Sequence, residues 1–498
     1  MDRRSFLRSA IAAGGGAAML PTAAMVRPAG AQPVDAQPAA AGPYGSLDGR
    51  LPDANGLILP EGFTSRIIGV AGDRVAGTDY EWHIFPDGSA TFDDGDGGWW
   101  YVCNSEVFTP EFLGGVSAVH FGPDGEILTA SRVLANTTAN CAGGPTPWGT
   151  WLSCEERFDE KGQVWEVDPT GVKEAVALPA LGQWAHEAVA VDPDTETLYL
   201  TQDHPAGLFY RFTPDAYPDL TAGTLEAAIV APDGAVTWGE IADPSGATTP
   251  TREQVPGATV FPGNEGVWYH DGVVVFTSKG DNKVHAIDIA AQTYALVWNG
   301  TPPAEVAAGA VRKEPLNGVD NITVETGSGD LFVAEDGDNM ELVLISAEGE
   351  VVPFARFAGE VHAASEVTGP SFNPAGDRLY FSSQRGPTTK TVFDLLGAGG
   401  ETTNGGVTYE VTGPFRGVAM AAETTAGTTP GTSTPAPSET LAAAGSSDSG
   451  SSSSSNAVPI VAGGAVVVAA GVAGALLLRR RGAAASNGSG PDAPTDPS

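Results

Sequence analysis

A chain of 498 residues with 61 acidic and 25 basic side chains carries a formal charge of −36. Such a balance excludes a nucleic-acid partner, because phosphate backbones are held by basic patches. With 65 glycines and 38 prolines among 42% hydrophobic residues, the composition favours one large core of short strands and many turns.

The chain begins Met1-Asp-Arg-Arg-Ser-Phe-Leu-Arg8. The paired Arg3 and Arg4 before Phe6 and Leu7, then a weakly apolar stretch from Ser9 to Ala24, read as a twin-arginine export signal. Cleavage after Ala29-Gly-Ala31 is expected, so residues 1–31 form the leader. The partner in export is then the twin-arginine translocase, which carries folded proteins with any cofactor already loaded.

From residue 44 to 416 one pattern returns six times. A turn with Asp or Gly leads into four or five apolar residues, a small polar residue and often an acid. The copies are Asp96–Glu106, Gly149–Glu156, Asp194–Asp203, Asp271–Ser278, Gly329–Asp336 and Gly376–Gln384. Further strands follow several of them, as in Gly162–Asp168, Gly207–Phe212 and Lys283–Asp288. A recurring strand unit without a long helical pattern predicts an all-β fold, a single β-propeller of six blades. Ala304–Val311 is expected to be a short helical insertion.

Beyond the repeats, residues 424–456 are rich in Ser, Thr, Pro and Gly, a composition that cannot bury a core and reads as a disordered stalk. Residues 457–478 carry no charge and span roughly 33 Å as a helix, enough for a bilayer. Arg479, Arg480 and Arg481 follow, which predicts a transmembrane helix with residues 479–498 as a cytoplasmic tail. The expected location is the cell surface, with the folded part tethered outside the cytoplasmic membrane and acting as a monomer.

The densest chemistry lies in Asn140–Glu156, a Gly/Pro-rich turn and a short strand ending Cys154-Glu155-Glu156. Adjacent anions are costly unless a cation holds them. Equivalent strand ends of a propeller converge on its channel, so Glu155, Glu156, Asp203, Glu335 and Asp336 are expected to meet. Glu187 after His186, Glu265 between glycines, and the Asp320-Asn321 step extend the set of candidate metal ligands. Oxygen donors of this kind suit calcium, and thiolate with carboxylate suits iron. His186 is expected to hold Glu187 rather than a metal. Of the three cysteines, Cys103 and Cys141 forming a disulfide and Cys154 remaining free is one assignment. Neither a zinc-hydrolase histidine spacing nor a nucleophile elbow is present.

The run Pro145–Glu156, the Ala185-His-Glu-Ala188 step and the later Glu265-Gly, Asp320-Asn and Glu335-Asp steps resemble, in order, the PhoX-type alkaline phosphatase family. The resemblance covers roughly Tyr44–Phe415. It implies a six-bladed propeller with Ca²⁺ and Fe³⁺ at the channel mouth, hydrolysing small phosphate monoesters. By the same resemblance Cys154 and Glu187 look like iron ligands with catalytic roles. Glu155 or Glu156, Glu265, Asp320 and Glu335 look like further ligands, mainly for calcium. The family's phosphate-binding arginine has no counterpart in Asn317–Asn321, and Arg312, Arg356 and Arg385 are the candidates to replace it, with Arg385 taken as catalytic. Two other readings fit the residues: a non-catalytic calcium-binding propeller, and a calcium-dependent lactonase-like hydrolase that needs no thiolate.

Overall fold

The computed structural model describes residues 42–109, 111–302, 314–337, 339–396 and 403–418. The leader, the stalk, the apolar segment 457–478 and all of Ala304–Val311 lie outside them. Among the described residues no helix is long and apolar enough to cross a membrane.

Six antiparallel sheets of four or five strands make up the fold. Their inner strands are Pro86–Asp93, Asn140–Pro145, His186–Asp192, Asn264–His270, Val319–Glu325 and Val367–Phe372. These touch one another in cyclic order and the sixth returns to the first, so the fold is a closed six-bladed propeller. The repeat found in the sequence is the second strand of each blade: Trp99–Ser105, Trp151–Glu155, Thr197–Gln202, Val273–Ser278, Asp330–Glu335 and Arg378–Ser383. Closure is made by an early strand, Thr64–Val70, which pairs with Val407–Thr412 at the outer edge of the sixth blade.

The second strands are almost wholly buried and read as apolar runs because both of their faces pack against neighbouring blades. Between the second and third blades, for example, Leu152, Trp184, Leu200, Tyr210 and Phe212 share one apolar cluster.

The inner strands look different. In every blade the pairing of the inner strand with the second gains one residue just after its start: Pro86 faces Ser105 while Ser89 faces Cys103, and His186 faces Gln202 while Val189 faces Leu200. The same bulge occurs in the other four blades. A bulge turns a side chain out of the strand's alternation; in five blades it begins at the second residue of the inner strand, and in the sixth it comes one residue later, after Thr368, which still pairs with Ser382. The third residue is Gly or Ala in five of the six strands, Asn321 being the exception, because the strands crowd together at the axis. A Cβ on Gly88 would lie 2.4 Å from Cα of Ala142, and one on Gly266 only 2.6 Å from the backbone nitrogen of Ile322. In the third blade the bulge's amide is satisfied by a side chain, the Thr201 hydroxyl accepting from Ala188 N–H at 3.0 Å.

Candidate metal centre

The second residues of the six inner strands are Asp87, Cys141, Glu187, Glu265, Asp320 and Thr368. A second ring lies above them, made by the residue that follows each second strand: Glu106, Glu156, Asp203, Lys279, Asp336 and Gln384. Together the two rings gather acids from five of the blades at one end of the channel.

Ligand atoms within 4.8 Å of one another form four groups: Asp87–Glu106–Cys141, Cys141–Glu156–Glu187, Glu187–Glu265–Asp320 and Asp320–Asp336–Glu366. Each group shares a residue with the next, namely Cys141, Glu187 and Asp320. Shared ligands are what a cluster of several ions needs.

The electrostatics call for cations. Burial, with Asp320 nearby, pushes the Glu187 carboxyl well above the usual range. Asp87 is raised likewise by burial and by Glu106. Asp320 is pushed up to about 6 and Glu366 to about 8, burial being the main cause of both. Burial and the charges of Asp87 and Glu187 raise the Cys141 thiol. Glu156 is raised by burial and by Asp203, to which it is hydrogen-bonded. Oδ1 of Asp87 and Oε2 of Glu187 are buried with no hydrogen-bond partner. An orphaned buried oxygen costs roughly 1–3 kcal/mol, more when charged, so a bound cation resolves both problems. A thiol among buried carboxylates fits a mixed set of one transition metal with harder ions.

Neutral side chains hold the acids in place. Asn321 Nδ2 donates to Asp320 Oδ1 at 2.9 Å and reaches Glu187 Oε1 at 3.5 Å. Its Oδ1 accepts from Gly369 N–H at 2.7 Å, which ties the amide to the neighbouring sixth blade. Gln384 Nε2 donates to Asp87 and, at 2.8 Å, to Glu106 Oε2. Asn104 anchors the backbone beneath the thiol, donating to the carbonyls of Cys141 and Ala142 at 2.9 and 2.7 Å.

The geometry sorts the residues expected from the sequence. Glu156, Glu187, Asp203, Glu265, Asp320, Asn321 and Asp336 come together at the mouth. Cys154 does not; it is packed among Leu152, Val164, Leu181 and Trp184 in the apolar cluster between blades. The thiol at the mouth is Cys141, whose Sγ lies 3.2 Å from Glu187 Oε1. All three cysteines are free, so the Cys103–Cys141 disulfide is not formed. Cys103 instead lies 3.5 Å from the carbonyls of Asp87 and Asn104.

Glu155 and Glu335 are the last residues of their strands and point the other way from Glu156 and Asp336. Glu155 accepts from the amides of Thr138 and Gln163 at 3.0 and 3.3 Å, and Glu335 from those of Asn317 and Glu341 at 2.6 and 3.2 Å. They brace loops. His186 is fully buried, stacks on Trp184, donates through Nε2 to the Gly182 carbonyl at 3.0 Å and is held neutral by burial, its pKa down at about 3. It therefore supports the loop before its strand and does not grip Glu187.

Arg385 sits at the rim, its guanidinium over the Phe85 ring and bonded to Glu366 at 2.8 Å. Arg356 is bound to Glu341 at 2.6 Å within the outer part of the fifth blade, and Arg312 lies outside the described residues. Sequence reasoning missed Asp87, Glu106, Cys141, Lys279, Glu366 and Gln384.

The family model described as Alkaline phosphatase PhoX matches residues 127–386. The chain belongs to the PhoX alkaline phosphatase family. Pseudomonas fluorescens PhoX, solved with vanadate as a transition-state analogue, shares the fold: the TM-score is 0.57 at 18% identity, over 75% of this chain and 99% of that one. A gluconolactonase from Xanthomonas campestris aligns at a TM-score of 0.36 and 13% identity, over 67% of this chain and 88% of its own. No curated protein matches the chain in sequence. The PhoX match spans most of both rings, from before Cys141 to Arg385, and leaves out the inner and second strands of the first blade, with Asp87 and Glu106.

Proposed function

We propose that the protein is a metal-dependent phosphatase acting on small phosphate monoesters, with calcium and iron in the four overlapping ligand groups. The observation that carries this reading is the shared thiol and carboxylates of Cys141, Glu187 and Asp320 at the channel mouth of a PhoX family member. When bound, such ions neutralise phosphoryl oxygens and supply an activated oxygen nucleophile.

The chain's own groups would do the rest. Cys141, Glu156 and Glu187 would hold the softer metal, and Glu265, Asp320 and Asp336 belong to the harder-ion side. Asn321 orients Glu187 and Asp320 together, and Gln384 keeps Asp87 and Glu106 turned inward. Arg385, preset by Phe85 and Glu366, offers guanidinium N–H groups to a phosphoryl oxygen at the rim. The positive ions would also reverse the local field, so that a chain of charge −36 can accept an anion. We infer that the enzyme is exported by the twin-arginine route and anchored by residues 457–478, a reading supported by the sequence pattern alone.

The test is elemental analysis together with hydrolysis of p-nitrophenyl phosphate. Transition metal and calcium should copurify, and a chelator should abolish turnover. A metal-free protein that hydrolyses no phosphate ester would overturn the proposal. Calcium-dependent stability without turnover would favour a binding propeller. Turnover of lactones that survives loss of Cys141 would favour the lactonase reading.

A further inference from the structure

At the second-ring position where three blades place Glu106, Glu156 and Asp203 on one side of the mouth, the fourth blade places Lys279. Its Nζ lies 2.9 Å from Glu265 Oε1, 3.1 Å from Asp320 Oδ2 and 3.2 Å from Asp336 Oδ2. The contact to Asp320 is a hydrogen bond, and Glu265 and Asp336 lie within ion-pair distance of the same ammonium. Three carboxylates therefore surround the one charge, which argues against a substrate-gripping role. The side chain is only 22% exposed, so its charge is spent inside the mouth.

Two of the four ligand groups contain these same acids: Glu187–Glu265–Asp320 and Asp320–Asp336–Glu366. A calcium ion needs oxygens at about 2.3–2.6 Å. Placed between Glu265 and Asp320, it would collide with Nζ and be repelled by its charge. On the other side of the mouth, among the described residues, no basic side chain is ion-paired with Asp87, Glu106, Glu156 or Glu187, and Arg385 is paired with Glu366 instead; Oδ1 of Asp87 and Oε2 of Glu187 have no hydrogen-bond partner.

We propose that Lys279 is a built-in cation that takes the place of one divalent ion, so that the centre binds one ion fewer than its carboxylates could hold. This rests on the metal-cluster reading above. Removing the ammonium should open a calcium site formed by Glu265, Asp320 and Asp336.

The test compares the wild-type chain with Lys279→Met, whose side chain is of similar length and uncharged. Both are dialysed against calcium chloride, and metal per protein is counted by elemental analysis alongside thermal melts. The variant should carry one more calcium than the wild type, and added calcium should raise its Tm more. A variant that folds only with calcium supports the proposal in the same way. An unchanged or lower count in the variant, with metal present in the wild type, overturns this inference alone. So does a variant that stays unfolded in saturating calcium, or one that shows a raised KM for p-nitrophenyl phosphate and no added ion. A wild-type chain without any metal overturns the cluster reading along with it.

Discussion

Two sides of the channel mouth stand on the same backbone device. Around Cys141 the inner strands present Asp87, Cys141 and Glu187, with Glu106 and Glu156 above them, and among the described residues no basic side chain is ion-paired with these acids. Across the channel Glu265 and Asp320 occupy the equivalent positions, yet Lys279 lies among them within 3.2 Å of three carboxylates. The backbone sets where charges gather, and the residue chosen at one ring position decides whether the balancing cation comes from solution or from the chain. In a propeller this separation is cheap, since a bulge repeated six times fixes direction while each blade remains free to vary the side chain.

The largest expected effect tests the Cys141 side. Cys141→Ala should lower phosphatase kcat/KM by at least about 100-fold, since even indirect supports of a metal cost 10–100-fold. Cys154→Ala should leave turnover within a few-fold and cost about 1–2 kcal/mol of stability from the small cavity left among Leu152, Val164 and Trp184. Equal losses of activity would break the distinction. Next, Asn321→Ala releases Glu187 and Asp320 from a common brace and should reduce turnover about 10- to 100-fold. A metal count that stays intact while kcat falls would identify Asn321 as a positioning residue.

Asn104→Ala probes the scaffold beneath the thiol. It removes donors to the Cys141 and Ala142 carbonyls and an acceptor for Trp151 Nε1. The cost should be about 2–3 kcal/mol in a denaturant titration. At neutral pH the smallest effect is that of His285, which shows only in the acid limb of stability in chelator. His285 is buried between Ser278 and Tyr294, and burial lowers its pKa to about 3. The unfolded chain, with an ordinary histidine, then binds the extra proton between about pH 6.5 and 3, so stability falls as pH drops through that window. The loss approaches about 1.4 kcal/mol per pH unit for one such group, and His285→Gln should flatten the acid limb accordingly.

The second strands were legible in the sequence because burial on both faces makes them unbroken apolar runs closed by turn residues, as in Asp271–Ser278. The inner strands were not. Pro86-Asp-Gly-Ser and Asn140-Cys-Ala-Gly-Gly spend their first residues on a bulge, so polar and small side chains replace the apolar alternation that marks a strand. The signal that would have found them is a polar residue or cysteine followed, in five cases of six, by Gly or Ala, 8–12 residues before each second strand: Asp87-Gly88, Cys141-Ala142, Glu187-Ala188, Glu265-Gly266, Asp320-Asn321 and Thr368-Gly369. The same two-residue period separated Glu155 from Glu156 and Glu335 from Asp336. Both members of each pair were expected at the mouth, but a strand can aim only one of two neighbours at the channel. Cys154 drew attention because it adjoins two acids in sequence, whereas Cys141 meets its acids only after folding.

Everything above turns on whether the channel mouth holds a metal cluster through Cys141. The most direct measurement is transition-metal content per chain in natively exported wild type, Cys141→Ala and Cys154→Ala. Wild type and Cys154→Ala should carry the metal in equal amount, and Cys141→Ala should have lost it. Retention in Cys141→Ala, or loss only in Cys154→Ala, would contradict the account.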